Sequence, residues 1–302
     1  MSISRRDLLK ASAAVLAAPG LAGRAVAQLQ QVLAGKSHPP VIWLQGQGCS
    51  GCSTSLLNSI YYTTADDLLQ NVIDLEYHPT LSAAAGELTV SAAEKRRGLG
   101  GYILVIEGAI PTGAAGRFCT VWEGKTMQQA LVDFAPGARF ILAVGSCAAF
   151  GGLVSANTNP TEAKSVRGIL GDDARIINIP GCPSHPDWIV GTIAHLLKHN
   201  QAPPLDANRR PMVYFENRIH DYCERRCKNG DECMAGSLGS DGCLINLGCR
   251  GESTYADCYL RKWNTGRPGR FGVNWCIGSG GPCLGCVNPG FPGMSSFFDS
   301  GE

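Results

Sequence analysis

Five short apolar, β-branched runs alternate with helix-like stretches between residues 40 and 200. That alternation predicts an α/β fold, a doubly wound parallel sheet most simply of the flavodoxin-like order. After Gln201 the periodicity fades, and nine of the fourteen cysteines gather in the remainder. A second, irregular region of mostly coil and short helix is therefore expected there. With 44% hydrophobic and 17% charged residues, the 302-residue chain has the composition of a folded protein rather than a disordered one.

The strands are read at residues 41–44, 72–75, 102–106, 140–144 and 175–179, each brief and bounded by glycine or proline. Helices are expected at 54–60, 91–97, 126–134, 161–170 and 186–199. Ala202-Pro203-Pro204 marks a linker. The division that follows is 1–27 as an export segment, 28–204 as the flavodoxin-like domain and 205–302 as the cysteine-rich domain. A stretch as irregular as the last has no pattern for an ordinary core, so its cysteines are expected to hold it together.

The first 27 residues stand apart from the fold. Arg5-Arg6 precede an Ala-rich apolar run, and Ala25-Val26-Ala27 offers a small-residue cleavage site. This order resembles a twin-arginine export signal, a route that carries folded proteins. The whole chain has 26 basic and 25 acidic residues; removing the segment leaves 22 against 24. Neither balance gives a reason to expect nucleic acid, whose binding rests on basic side chains. No later window reaches the apolar length of a membrane span, and no apolar tail precedes Glu302, so no membrane anchor is expected.

Four cysteines fall in loops directly after predicted strands. Cys49 and Cys52 follow the first, Cys147 the fourth and Cys182 the fifth. In a doubly wound sheet these loops share the carboxyl edge, where such folds place ligands. Four thiolates meeting there suit an iron–sulfur cluster or a tetrahedral zinc, with a pair of disulfides as the plain alternative. A second set comprises His220, Cys223, Cys243 and Cys249, and a third Cys258, Cys276, Cys283 and Cys286. Eleven cysteines and one histidine make three sets of four, leaving Cys119, Cys227 and Cys233. A secreted, disulfide-stapled binding protein without iron is the rival reading.

Seven motifs, in order, extend over essentially the whole mature chain: Gly48-Cys49-Ser50-Gly51-Cys52, Glu107-Gly108-Ala109-Ile110-Pro111, Gly145-Ser146-Cys147, Pro180-Gly181-Cys182-Pro183, Arg218-Ile219-His220-Asp221-Tyr222-Cys223, Gly248-Cys249-Arg250-Gly251 and Cys283-Leu284-Gly285-Cys286. On these the chain resembles the small, electron-transferring subunit of periplasmic nickel–iron hydrogenases, and within them the group that includes the nickel–iron–selenium enzymes. The resemblance implies that Cys49, Cys52, Cys147 and Cys182 bind a proximal 4Fe–4S cluster. It likewise implies a distal 4Fe–4S cluster on His220, Cys223, Cys243 and Cys249, and a medial one on Cys258, Cys276, Cys283 and Cys286. Many relatives carry proline where this chain has Cys276, with a three-iron medial cluster; a fourth thiolate implies four irons. Gly51 and Gly152 stand where the oxygen-tolerant branch adds two cysteines, so that device is not expected.

The same resemblance implies a separate large subunit, forming a heterodimer and holding a nickel–iron centre that splits H2. The C-terminal region then becomes an irregular, coil and helical iron–sulfur domain. The external partner is expected to be a soluble periplasmic electron carrier such as a multihaem cytochrome c. A dedicated H2 sensor on the same fold is disfavoured by the export signal. Glu107, at the end of the third strand, has two readings: a carboxylate partner for the following turn's backbone, or part of a proton path with Ser50. His195 and His199 are expected to be a solvent-facing helical pair, and His185 to hydrogen bond beside Cys182. Cys227 and Cys233 either pair as a disulfide or let Cys227 compete with Cys223, and Cys119 is expected to be a buried thiol.

Overall fold

A computed structural model describes residues 38–227, 233–264 and 269–292. The export segment expected at residues 1–27 lies outside them. Five parallel strands make the central sheet: β1 (Pro40–Gln45), β2 (Asp74–Tyr77), β3 (Tyr102–Glu107), β4 (Ala138–Val144) and β5 (Ile176–Ile179). Their order, β2-β1-β3-β4-β5, is the flavodoxin-like one. Strand β1 reads Val41-Ile42-Trp43-Leu44 without a polar break because both its faces are covered. Val41 and Trp43 join one core, and Ile42 and Leu44 the other.

Seven helices serve the sheet: α1 (Gly51–Leu57), α2 (Ala65–Asn71), α3 (Glu87–Leu99), α4 (Met127–Phe134), α5 (Gly145–Phe150), α6 (Val166–Leu170) and α7 (Pro186–His199). Helix α4 opens with a capping box, Thr126 and Gln129 each satisfying the other's backbone. Helix α7 starts with Pro186 in its first turn and ends at Asn200, whose left-handed backbone (φ 56°) stops it.

Several expected bounds shift. Strand β2 begins two residues later than read, since Val72 and Ile73 are spent closing α2. Helix α1 begins at Gly51 rather than at 54, growing directly out of the first cysteine pair. Helix α2 was not expected. In the 161–170 window only Val166–Leu170 is helical, because Ala163 and Lys164 pair antiparallel with Pro111 and Ile110.

Among its described residues the cysteine-rich region holds two short α-helices, α8 (Met212–Phe215) and α9 (Cys258–Arg261). Contrary to the expectation from its irregular pattern, it contributes to an ordinary core. Tyr214, Phe215, Ile219, Leu244, Ala256, Trp275, Ile277 and Val287 are buried in the same cluster as Trp43, Trp188 and Ile189. Apart from Tyr214 and Phe215 on α8, these residues reach that core singly from loops and short turns, which is why they show no periodicity. Among the described residues no helix is long and apolar enough to cross a membrane.

Candidate metal centres

The strand register brings four carboxyl ends into one row. Gln45 pairs with Glu107, Glu107 with Val144, and Val144 with Ile179. Cys49, Cys52, Cys147 and Cys182 each follow one of these ends by a few residues, so the sheet delivers all four sulfurs to one edge. Glycine makes the approach possible: a Cβ on Gly145 (φ 84°) would sit 2.4 Å from Cys52 Sγ. At Gly152 (φ 54°) a Cβ would lie 2.8 Å from the Cys147 backbone nitrogen and 3.0 Å from its sulfur.

Backbone donors face these sulfurs. Ser184 N–H donates to Cys52 Sγ at 3.5 Å, and Val154 and Leu153 N–H groups donate to Cys147. Burial pushes all three of the inner thiols up, Cys182 to about 11, and the neighbouring cysteines add to the rise. Burial thus favours the neutral thiol at Cys52, Cys147 and Cys182. A metal group that ionises them supplies the missing positive charge.

Glu107 is buried behind this set. Its Oε1 accepts from the backbone N–H of Cys52 (2.9 Å) and of Ser53 (3.0 Å), and Oε2 accepts from Trp43 Nε1 at 3.0 Å and from the Ser53 hydroxyl. The carboxylate therefore ties down the first turn of α1, the turn after β1 rather than the one after its own strand. Ser53, not Ser50, is the hydroxyl it touches, and Ser53 in turn reaches His78 Nε2 at 3.0 Å. Ser50 is exposed, with left-handed backbone (φ 57°).

The second set lines one pocket. His220, Cys223, Cys243 and Cys249 surround it with Leu244, Ile245 and Ile277, which keep it largely apolar. The backbone N–H of Arg225 donates to Cys223. His220 Nε2 lies 3.7 Å from Glu252 on the outer side. Cys227 takes no part here: it is bonded to Cys233, with Cα atoms 5.4 Å apart. The other twelve described cysteines form no disulfide, which departs from the stapled-scaffold reading.

The third set lies between the other two. Burial, the largest cause, pushes all four of Cys258, Cys276, Cys283 and Cys286 up, Cys283 to about 11 and Cys286 to about 12. Neighbouring cysteines add to the rise, those of the same set at Cys258 and Cys286 and Cys249 at Cys276 and Cys283. Cys276 is exposed, the other three at least half-buried. Toward the first set, the N–H of Cys182 donates to Cys286, and the Ser146 hydroxyl bonds the Cys286 carbonyl while accepting from Gly181 N–H at 3.0 Å. Toward the second, the N–H of Cys283 donates to Cys249 Sγ at 3.3 Å.

Among the described residues no three His, Cys, Asp or Glu side chains converge to hold a single ion. A tetrahedral zinc needs four ligands within about 2.3 Å of one point. A cluster ligated at its corners needs them further apart. All-thiolate sets, and one with a single imidazole, with N–H groups aimed at sulfur, fit iron–sulfur binding.

His185 Nδ1 accepts from Asp187 N–H to cap α7, and its Nε2 meets the Lys262 carbonyl at 2.6 Å. His195 is half-buried, its ring tilted against that of exposed His199 with centres 4.5 Å apart, so the pair is not the purely solvent-facing one expected. Cys119 is half-buried at the edge of the second core. Ser146, Ser184 and the Arg225 backbone were not singled out; Ser146 stands in the Gly-Ser-Cys motif, but its contact with Cys286 has no local signature.

Family comparisons agree along the chain. Residues 215–299 match the family model for the C-terminal part of the NiFe/NiFeSe hydrogenase small subunit. Residues 49–196 match that of the NADH ubiquinone oxidoreductase 20 kDa subunit, and residues 2–22 that of the twin-arginine translocation signal sequence. The periplasmic NiFeSe hydrogenase small subunit of Desulfomicrobium baculatum is 39% identical, covering 99% of each chain. The hydrogenase-2 small chain of Escherichia coli K12 is 38% identical, over 95% of this chain and 77% of that one. Among solved structures, a reduced, active Ni-Fe-Se hydrogenase from Desulfomicrobium baculatum superposes with a TM-score of 0.79 at 40% identity, covering 85% of this chain and 96% of that one. An oxidised NiFeSe hydrogenase from Desulfovibrio vulgaris Hildenborough gives 0.77 at 42% identity, covering 86% and 96%.

Proposed function

This chain belongs to the nickel–iron hydrogenase small-subunit family, and on that footing we propose that it carries electrons between the large subunit's nickel–iron centre and an external carrier through three 4Fe–4S clusters. Exported by its twin-arginine signal, it works in the periplasm as one half of a heterodimer, and a soluble carrier such as a multihaem cytochrome c exchanges electrons with it. When bound, a 4Fe–4S cluster supplies a one-electron carrier whose potential depends on ligand charge, hydrogen bonds to sulfur and exposure.

The observation that carries this reading is the placement of the third cysteine set, hydrogen-bonded to the first through Cys182 and Cys286 and to the second through Cys283 and Cys249. The protein's part is positional. Cys49, Cys52, Cys147 and Cys182 hold the proximal group at the sheet edge; Cys258, Cys276, Cys283 and Cys286 hold the medial one. His220, Cys223, Cys243 and Cys249 hold the distal group, where a neutral imidazole replaces one thiolate and leaves that group less negative beside solvent. Glu107 acts here as a positioning residue, fixing the Cys52 turn through two charge-assisted bonds. No hydrogen bond joins it to Ser50, so the proton-path reading gains its support from Ser53 and His78 instead.

The four-iron assignment of the medial site is tested at Cys276. In the purified heterodimer, Cys276→Pro removes one thiolate and is expected to produce the electron paramagnetic resonance signal of an oxidised three-iron cluster, absent from the parent enzyme. A parent that already shows that signal, or a variant that never does, contradicts the assignment.

A further inference from the structure

We propose that the Cys227–Cys233 disulfide is a positioning clip for the distal site, holding Cys223 and Cys243 in register; this rests on the reading that the site binds a cluster. Its ligands come from two segments, around 220–223 and 243–249, and among the described residues between them there is no helix of regular length or strand of the main sheet. Ligands on such coil lose much conformational freedom when a site forms. The disulfide shortens the path between them. From Cys223, three residues lead to Cys227, which is bonded to Cys233.

Cys233 is in turn laced to the second ligand. The N–H of Cys243 donates to the Cys233 carbonyl, the N–H of Ala235 donates to the Cys243 carbonyl, both at 2.8 Å, and Met234 and Cys243 form a parallel bridge. The approach is close: a Cβ on Gly242 (φ 105°) would lie 2.6 Å from the Cys233 carbonyl oxygen. On the other flank, the N–H of Arg226 donates to the Cys223 carbonyl at 3.1 Å, and Arg225 Nε donates to the Gly242 carbonyl at 2.8 Å. The bond and these contacts make one ring that contains both sulfur ligands. A disulfide persists on the oxidising side of the membrane, where the export signal delivers the chain.

The test uses the intact heterodimer and reads each cluster's spectroscopic signal during exposure to a ferrous-iron chelator. The double variant Cys227→Ser/Cys233→Ser is expected to lose the distal signal up to roughly 50-fold faster, the factor chain entropy gives for a loop of this size, with a changed distal potential. The proximal and medial signals should keep their parental rates. Loss within threefold of the parent, at an unchanged potential, overturns the clip. A parallel measurement needs no refolding: a water-soluble phosphine reduces the bond in native enzyme, two thiols forming as the phosphine takes oxygen from water, and maleimide then caps them. That sample should follow the double variant; parental behaviour with both thiols capped overturns the clip. Cys243→Ser separates the two ideas. If it removes no cluster signal, the distal reading has failed; if it removes one that the clip variant leaves as stable as in the parent, the clip has failed.

Discussion

Replacing Cys286 with alanine lowers H2-driven reduction of the external carrier by more than about 100-fold while leaving the large subunit's own H2/D2 exchange intact. The position joins two sites. Its sulfur accepts the N–H of Cys182 and sits among Cys283, Cys276 and Cys182, whose charges it feels. Its carbonyl receives the Ser146 hydroxyl, a backbone contact that alanine keeps. The substitution therefore removes a proposed ligand and spares the loop. Residues that merely orient metal ligands already contribute 10–100-fold to affinity or activity, so loss of a ligand at the middle of a series should exceed the upper end of that range (above ~100-fold). Carrier reduction at the parental rate would contradict both the ligand assignment and the serial order. Exchange that falls in parallel would point instead to damage at the large-subunit interface.

Arg261→Met lowers the melting temperature of the heterodimer by roughly 6–20 °C, the result of losing about 3–5 kcal/mol. Arg261 is 5% exposed. Its Nε and Nη2 donate to Asp257 at 2.9 and 2.7 Å, and Nη1 donates to Asp187 at 3.2 Å and to the Tyr62 hydroxyl at 3.0 Å. Asp257 also accepts from Trp188 Nε1 at 2.8 Å. The guanidinium lies over the rings of Tyr214 and Phe271, 5.2 and 5.5 Å from their centres. One cation thus locks helices α7 and α9 together and fastens the cysteine-rich region to the sheet domain. Methionine fills the space but strands two buried carboxylates. Burial, the largest cause, together with neighbouring Asp257 already lifts Asp187 to about 6 against the opposing pull of Arg261, so without Arg261 that carboxyl rises further. Adding Asp187→Asn and Asp257→Asn should restore part of the loss, because the penalty comes from uncompensated charge. A shift under 2 °C for Arg261→Met would show the network contributes little.

None of that network is visible in the chain read linearly. Asp187, Asp257 and Arg261 look like ordinary surface charges until the fold buries them together. The strands were legible because residues such as Val41 to Leu44 and Tyr102 to Ile106 are buried on both faces and leave unbroken apolar runs. Edge strand β2 was less so: it reads Asp-Leu-Glu-Tyr and is half exposed, while the more apolar Val72 and Ile73 beside it belong to a helix end. Helix α2 is too short for periodicity; only Thr64, whose hydroxyl accepts from Asp67 N–H, announced its start. Cysteine spacing after the strands indicated which sulfurs share an edge. It carried nothing about how the sets touch, since Cys182 meets Cys286 and Cys249 meets Cys283 only through the tertiary fold. Glu107 was picked out by its place at a strand end, yet its partners Cys52, Ser53 and Trp43 lie on β1 and α1, where only the strand register brings them.

Acid-labile sulfide, counted per small subunit in the purified heterodimer, tests the relay most directly because the nickel–iron centre of the large subunit adds none. Three complete 4Fe–4S sites predict about twelve sulfides, together with about twelve irons beyond those of the large subunit. A count near eight would leave one of the three cysteine sets without its cluster, and a count near zero would contradict iron–sulfur binding altogether.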